Sequence, residues 1–173
     1  MRRRARPLDW ANQPSPYKED AGIPLEPLPP ELERLLRLGA GVVRRRRGYE
    51  FRTYSSAGAL YPIEVYVATA EGLFHFHPRE LGLRRLRDED VRDALGGGET
   101  VLALTGILWR TAWKYDARGY RHLFWDAGTM LANLFELAPG EARVLTGFVD
   151  DDVNRVLGVD GIDEAALALL QLR

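Results

Sequence analysis

The stretch Ile63-Glu-Val-Tyr-Val-Ala-Thr-Ala70 constrains the fold more than any other segment. β-Branched and aromatic side chains dominate it, and these favour extended backbone. Glu71-Gly72 turns the chain into a second strand, Leu73-Phe-His-Phe-His77, which Pro78 closes. Strands joined by so short a turn pair antiparallel, because a parallel return needs a crossover of a dozen or more residues. Helical signals surround this hairpin. Pro30-Glu31 open a helix through Leu32, Leu35, Leu36 and Leu38, with Gly39 and Gly41 as its stop. Asp88 is suited to cap a helix over Glu89–Leu95, ended by Gly96-Gly97-Gly98. Leu123, Ala127, Met130 or Leu131, Leu134 and Leu137 mark a long amphipathic helix over Tyr120–Leu137, terminated by Pro139-Gly140. Asp151 caps a small helix ending at Gly158. Val101–Leu108 reads as a buried strand, Val144–Phe148 as a short one, and Ala165–Leu172 as a strand or a helix. A hairpin among helices defines the α+β class.

The chain has 173 residues, enough for one domain burying ~70% of its unfolded surface. We expect that domain over 31–173, after an extended arm over 1–30 that holds seven of the ten prolines. Trp10 and Tyr17 could anchor the arm on a neighbouring surface; a wrap around a partner subunit and a frayed terminus are the two readings. Cysteine is absent, which excludes disulfides, thiolate zinc sites, iron–sulfur clusters and cysteine nucleophiles. The formal net charge of −1 provides no global basic field for nucleic acid. Of 24 cationic side chains only Lys18 and Lys114 are lysines. Arg44-Arg45-Arg46-Arg47-Gly48 reads as a solvated loop, with a phosphate or acidic partner as the alternative. No secretory signal or long apolar span is visible, so a cytoplasmic, membrane-free protein is expected.

Two segments carry chemistry. In Ser55-Ser56-Ala57-Gly58-Ala59-Leu60-Tyr61-Pro62, five successive small residues let backbone amides approach a flat ligand, and serine hydroxyls add donors. An ordinary tight loop is the bland alternative. Trp109-Arg-Thr-Ala-Trp-Lys-Tyr-Asp-Ala-Arg-Gly-Tyr-Arg-His122 interleaves aromatics and cations at the end of a buried strand. Flanking Arg110 and Arg118, together with burial, would fit Lys114 for base chemistry, with Tyr115 assisting. An arginine-rich surface with Lys114 reaching water is the competing reading. His75 and His77 share a strand face, but two ligands do not make a metal site, and none is expected. Asp150-Asp151-Asp152 suits helix capping better than cation binding.

Taken together these motifs resemble the FMN-dependent nitroreductase superfamily, in particular its SagB-type branch of azoline dehydrogenases. The resemblance runs through Arg52-Thr-Tyr-Ser-Ser-Ala-Gly-Ala-Leu-Tyr-Pro-Ile-Glu-Val-Tyr66, Gly72-Leu-Phe-His-Phe-His-Pro78, the Trp109–His122 segment and Trp125-Asp-Ala-Gly-Thr-Met-Leu-Ala-Asn-Leu134. It closes with Thr146-Gly-Phe-Val-Asp-Asp-Asp-Val-Asn154 and Leu157-Gly158. It implies a nitroreductase-like fold with a mostly antiparallel central sheet, a homodimer, and hydride transfer between FMN and a small or peptide-borne azoline-like substrate. Arg52, Ser55, Ser56, Ala57, Gly58, Thr146 and Gly147 would bind the cofactor, the last two near flavin N5. Lys114 and Tyr115 would be catalytic. The usual Arg-x-Ser-x-Arg segment for the FMN phosphate is absent, Ser55 stands where proline is usual, and Thr129 where many members carry histidine. The pattern is that of the first half of longer two-domain SagB-like proteins. A flavin-free binding or scaffold subunit of a peptide-modifying complex is the alternative.

Overall fold

The computed structural model describes residues 7–173; the Met1-Arg2-Arg3-Arg4 start of the arm lies outside them. The elements in chain order are β1 (Leu25–Pro27), α1 (Pro30–Ala40), β2 (Val42–Arg46), β3 (Tyr49–Arg52), β4 (Ile63–Thr69), β5 (Gly72–His77), β6 (Gly82–Arg87), β7 (Thr100–Ile107), α2 (Leu108–Tyr115), α3 (Gly119–Leu137), β8 (Ala142–Leu145), α4 (Asp150–Leu157) and β9 (Glu164–Leu172). Seven strands form one sheet in the order β1-β6-β5-β4-β7-β9-β8, and every neighbouring pair is antiparallel. The predicted β4–β5 hairpin sits near its centre, paired through Tyr66–His75 and Val67–Phe74.

Strand alternation sends two residue sets to two faces. Ile63, Val65, Val67, Leu102, Leu104 and Leu170 meet Leu32, Leu35 and Leu36 of α1 and Leu123, Met130 and Leu134 of α3. The α1–α3 approach is close at Gly39, where a methyl group would lie 3.1 Å from Leu134 Cγ and closer still to Cδ2. On the opposite face Tyr66, Ala68, Val101, Ala103 and Leu169 meet Val153 and Leu157 of α4.

The rest of that second face is polar, and the N-terminal segment covers it. Lys18 Nζ donates to Tyr66 OH and Glu164 Oε2, both at 2.6 Å, and Thr105 Oγ1 donates to Glu164 Oε1 at 2.5 Å. Asp20 Oδ2 lies 2.6 Å from His75 Nδ1, Glu64 Oε2 lies 3.1 Å from His75 Nε2, and Arg110 donates to Glu64. Tyr17 is buried and stacks on His77, with centroids 5.6 Å apart. Trp113 Nε1 donates to the Asp9 carbonyl at 2.9 Å while its ring meets Trp10 edge-on. Trp10 and Tyr17 therefore anchor the arm on its own domain, and β1 adds an edge strand to the sheet.

Several local expectations are corrected. Arg44–Arg47 is not a loop: β2 and β3 form a hairpin turned at Arg47 (φ 52) and Gly48 (φ 80), the paired left-handed backbone of a tight hairpin turn. Gly39 is a buried residue inside α1, and only Gly41 ends the helix. The segment after Asp88 gives a 3-10 turn over Asp93–Leu95. There Asp90 Oδ1 accepts from the Arg92 amide at 3.1 Å and from its guanidinium, a local bond that competes with helix formation. Asp151 lies in the first turn of α4 behind Val149, with no side-chain cap. The short strand is Ala142–Leu145, and the C-terminal segment is a strand.

Candidate functional site

The segment between β3 and β4 is a taut loop. A 3-10 turn spans Ala57–Ala59, and Gly58, Ala59 and Tyr61 all have positive φ, at 68°, 54° and 47°. For the two non-glycine residues this costs roughly 1 kcal/mol or more each, and such strain collects at functional sites. Tyr61 is over-determined by its surroundings. Its amide donates to Ser56 Oγ at 2.9 Å, its carbonyl accepts from Arg110 at 2.9 Å, and its hydroxyl accepts the Arg52 amide at 3.0 Å.

Helix α3 grips the other end of the loop along one face. Ser56 Oγ donates to Asp126 Oδ2 at 2.5 Å and the Ala57 amide to Asp126 Oδ1 at 3.2 Å. Thr129 Oγ1 donates to the Ser55 carbonyl at 3.0 Å, and Asn133 Nδ2 to the Thr53 carbonyl at 3.3 Å. Asp126 is buried, and burial pushes its carboxyl above the ordinary value despite those two donors. Asp126, Thr129 and Asn133 were not singled out as site residues. The spacing of three, then four residues within the Trp125–Leu134 segment carries that signal, but only a known loop position reveals it.

Lys114 and Tyr115 end α2 against the same loop. A methyl built on Gly58 would lie 2.9 Å from both Lys114 Nζ and Tyr115 OH. Burial and the Asp126 charge raise the Tyr115 phenol above its ordinary value, so it stays a protonated donor at neutral pH. Its ring rests on His122 at 4.3 Å, and His122 meets Trp125. Lys114 itself is exposed, and Arg110 turns inward to Glu64. The burial and the Arg110 flank expected around Lys114 are therefore absent.

A groove of about 790 Å³ opens beside the loop, lined by Ser55, Ser56, Gly58 and Ala59, by Tyr54 and Tyr61, and by Val43, Arg44 and Phe51 of the hairpin. That volume falls in the range of small-molecule sites, roughly 300–1,000 Å³. Arg52 and Thr53 also line it, and each keeps a buried polar atom, Nε and Oγ1, without a hydrogen-bond partner. The rest of the Arg52 guanidinium is committed to the carbonyls of Pro16 and Ile63 and to Tyr54 OH. Small residues and tyrosines border the groove and Arg44 supplies a cation on its wall, a lining compatible with a flat aromatic anion.

The structure thus brings Ser55–Gly58, Arg52, Lys114 and Tyr115 into one region. Thr146 and Gly147 are elsewhere, exposed after β8 and separated from β4 in the sheet by β7 and β9. His75 and His77 are packed under the N-terminal segment, and among the described residues no group of three or more His, Asp or Glu is arranged to hold a metal ion. Nor is any helix among them long and apolar enough to cross a membrane.

This sheet with flanking helices is the nitroreductase-like fold. A candidate nitroreductase from Anabaena variabilis superposes with a TM-score of 0.88 at 30% identity, over 96% of this chain and 42% of that one. The candidate nitroreductase MJ1384 of Methanocaldococcus jannaschii is 28% identical over 148 residues, 75% of this chain and 73% of its own. The microcin B17-processing protein McbC of Escherichia coli is 26% identical over 133 residues, 63% of this chain and 49% of its own. The chain therefore spans less than half of the Anabaena protein and about half of McbC. No family model matches it.

Proposed function

We propose that this chain is an FMN-dependent oxidoreductase of the SagB type, acting on a small or peptide-borne azoline-like substrate. The observation that carries the reading is the convergence of Lys114 Nζ and Tyr115 OH on Gly58, at the wall of a groove suited to a flat aromatic anion. The nitroreductase-like relatives support it. When bound, FMN supplies a two-electron carrier that exchanges a hydride. Ser55–Gly58 would lie against its ring, and Asp126 fixes that loop through Ser56 and Ala57. Arg44, with Arg52 beside it, would face its anionic end in place of the absent Arg-x-Ser-x-Arg segment. Lys114 Nζ, as the unprotonated amine, would take the proton that leaves a substrate ring carbon, and Tyr115 OH would hydrogen-bond to the same group. Thr146 and Gly147, remote in one chain, would reach the cofactor across a homodimer. The exposed Tyr120, Phe124 and Phe135 on the outer face of α3 supply apolar surface for that contact.

The test is optical and thermal. The purified protein is expected to show a flavin spectrum, and FMN at ~100 times its Kd should stabilise it by about 2.7 kcal/mol. Lys114→Ala should keep the spectrum and lose turnover by about 100-fold or more. Unchanged turnover removes Lys114 from the mechanism. A colourless protein indifferent to FMN sinks the enzyme reading and leaves the binding or scaffold subunit, a reading favoured by how much of the Arg52 guanidinium is already engaged.

A further inference from the structure

We propose that the groove between the β2–β3 hairpin and the N-terminal segment docks an acidic peptide segment through Arg45, Arg47 and Arg79. This second groove has a volume of about 780 Å³. Pro14 and Pro16 line one side of it and the hairpin the other. Gly58 and Ala59 line both this groove and the one assigned to the flavin, so the two meet at the small-residue loop. A chain held here is delivered to the site of the proposed chemistry.

Glu50 already illustrates the recognition. Its carboxylate sits between Arg45 Nε and Arg79 Nε, each at 2.7 Å, and accepts the Tyr17 hydroxyl. Arg79 is further fixed over the Tyr17 ring, 4.1 Å from its centroid. Neither arginine has a second carboxylate partner among the described residues, and their side chains are 68% and 47% exposed. Arg44, which lies over the Phe51 ring, Arg46 and Arg47 have no carboxylate partner among the described residues. One carboxylate thus stands among five arginines in a chain whose formal net charge is −1, so the positive field is local to this hairpin.

The layout favours an extended chain over a compact anion. Arg45 on β2, Arg47 at its turn and Arg79 opposite spread their charges along the groove instead of converging on one point. A two-stranded sheet also leaves an open edge on each strand, and an added peptide can pair with such an edge. The proposal rests on the flavin reading for the fate of the docked peptide, but not for the docking.

A fluorescein-labelled Gly-Glu repeat peptide, its Gly-Gln counterpart and a single-stranded oligonucleotide of equal charge are titrated by anisotropy against the full chain with FMN present. The Gly-Glu peptide is expected to bind, more weakly as salt rises, and the Gly-Gln peptide not to bind. Arg45→Gln with Arg47→Gln should weaken binding roughly three- to thirty-fold, as for two exposed ion pairs. Arg47→Glu, at a position that makes no ion pair among the described residues, should weaken it comparably while the flavin absorbance persists. Equal binding of the Gly-Gln peptide, wild-type affinity in Arg47→Glu, or tighter binding of the oligonucleotide overturns the proposal. Peptide binding without any FMN spectrum upholds the docking and overturns the redox reading alone.

Discussion

His75 is fully buried, yet its two ring nitrogens face two carboxylates, Asp20 and Glu64. Burial alone would lower the imidazole, but the hydrogen bonds and charges of these partners outweigh it and hold the group at about 9. Glu64 is held at about 2, where the Arg110 charge and His75 overcome burial. The raised histidine contributes stability in full below its ordinary value near 6.5, and that contribution fades as pH rises through 9. The lowered carboxylate contributes above its ordinary value of 4.5 and fades as pH falls through 2. Urea unfolding at pH 6 and pH 9 should therefore show an alkaline loss on the order of 2 kcal/mol in the wild type and a smaller loss in His75→Gln. Equal losses would remove His75 from the effect. None of this is readable from His75 itself, because Glu64 reaches it across the β4–β5 pairing and Asp20 only when the N-terminal segment lies over the sheet. Lys18 is the same case: a lysine unexplained by its neighbours in sequence, but bonded to Tyr66 and Glu164 in the fold.

Among the elements, those with an apolar period were legible and those built of arginine were not. β4, β5, β7 and α3 fall close to their expected places because burial of one face dictates their spacing. β2 and β6 are missed because Val42–Arg46 and Gly82–Arg87 hide their strand pattern behind guanidinium groups. Those groups are satisfied across strands, Arg45 by Glu50 on the facing strand of its hairpin and Arg85 by the distant Glu26. Gly39 departs from its expected role as a helix stop for a related reason. A glycine near a helix end usually stops it, but this one admits Leu134 of α3. Gly39→Val should therefore destabilise the fold by about 1–3 kcal/mol through overpacking, although the residue is in a helix where glycine is a poor former. Thermal unfolding checks this; an unchanged or higher Tm would mean that the α1–α3 contact yields freely.

At the scale of the molecule, the outer face of α3 sets the assembly expected. Tyr120, Phe124 and Phe135 are 58%, 45% and 48% exposed, and Tyr120 packs edge-on against Phe124 at 5.0 Å. If two copies join there, sedimentation should give a dimer for the wild type and a monomer for Phe124→Glu, with the same circular dichroism. A wild-type monomer, or a dimer that survives the substitution, moves the interface elsewhere. Sequence alone determined the antiparallel hairpin, the long amphipathic helix and the small-residue loop, since each follows from residue types within a few positions of one another. Tertiary structure decided the rest: Lys114 and Tyr115 against Gly58, Asp126 under the loop, and the arm laid on its own domain. A charged side chain's role depends on which opposite charge or acceptor reaches it in space, and here those partners come from strands and helices far away in the chain.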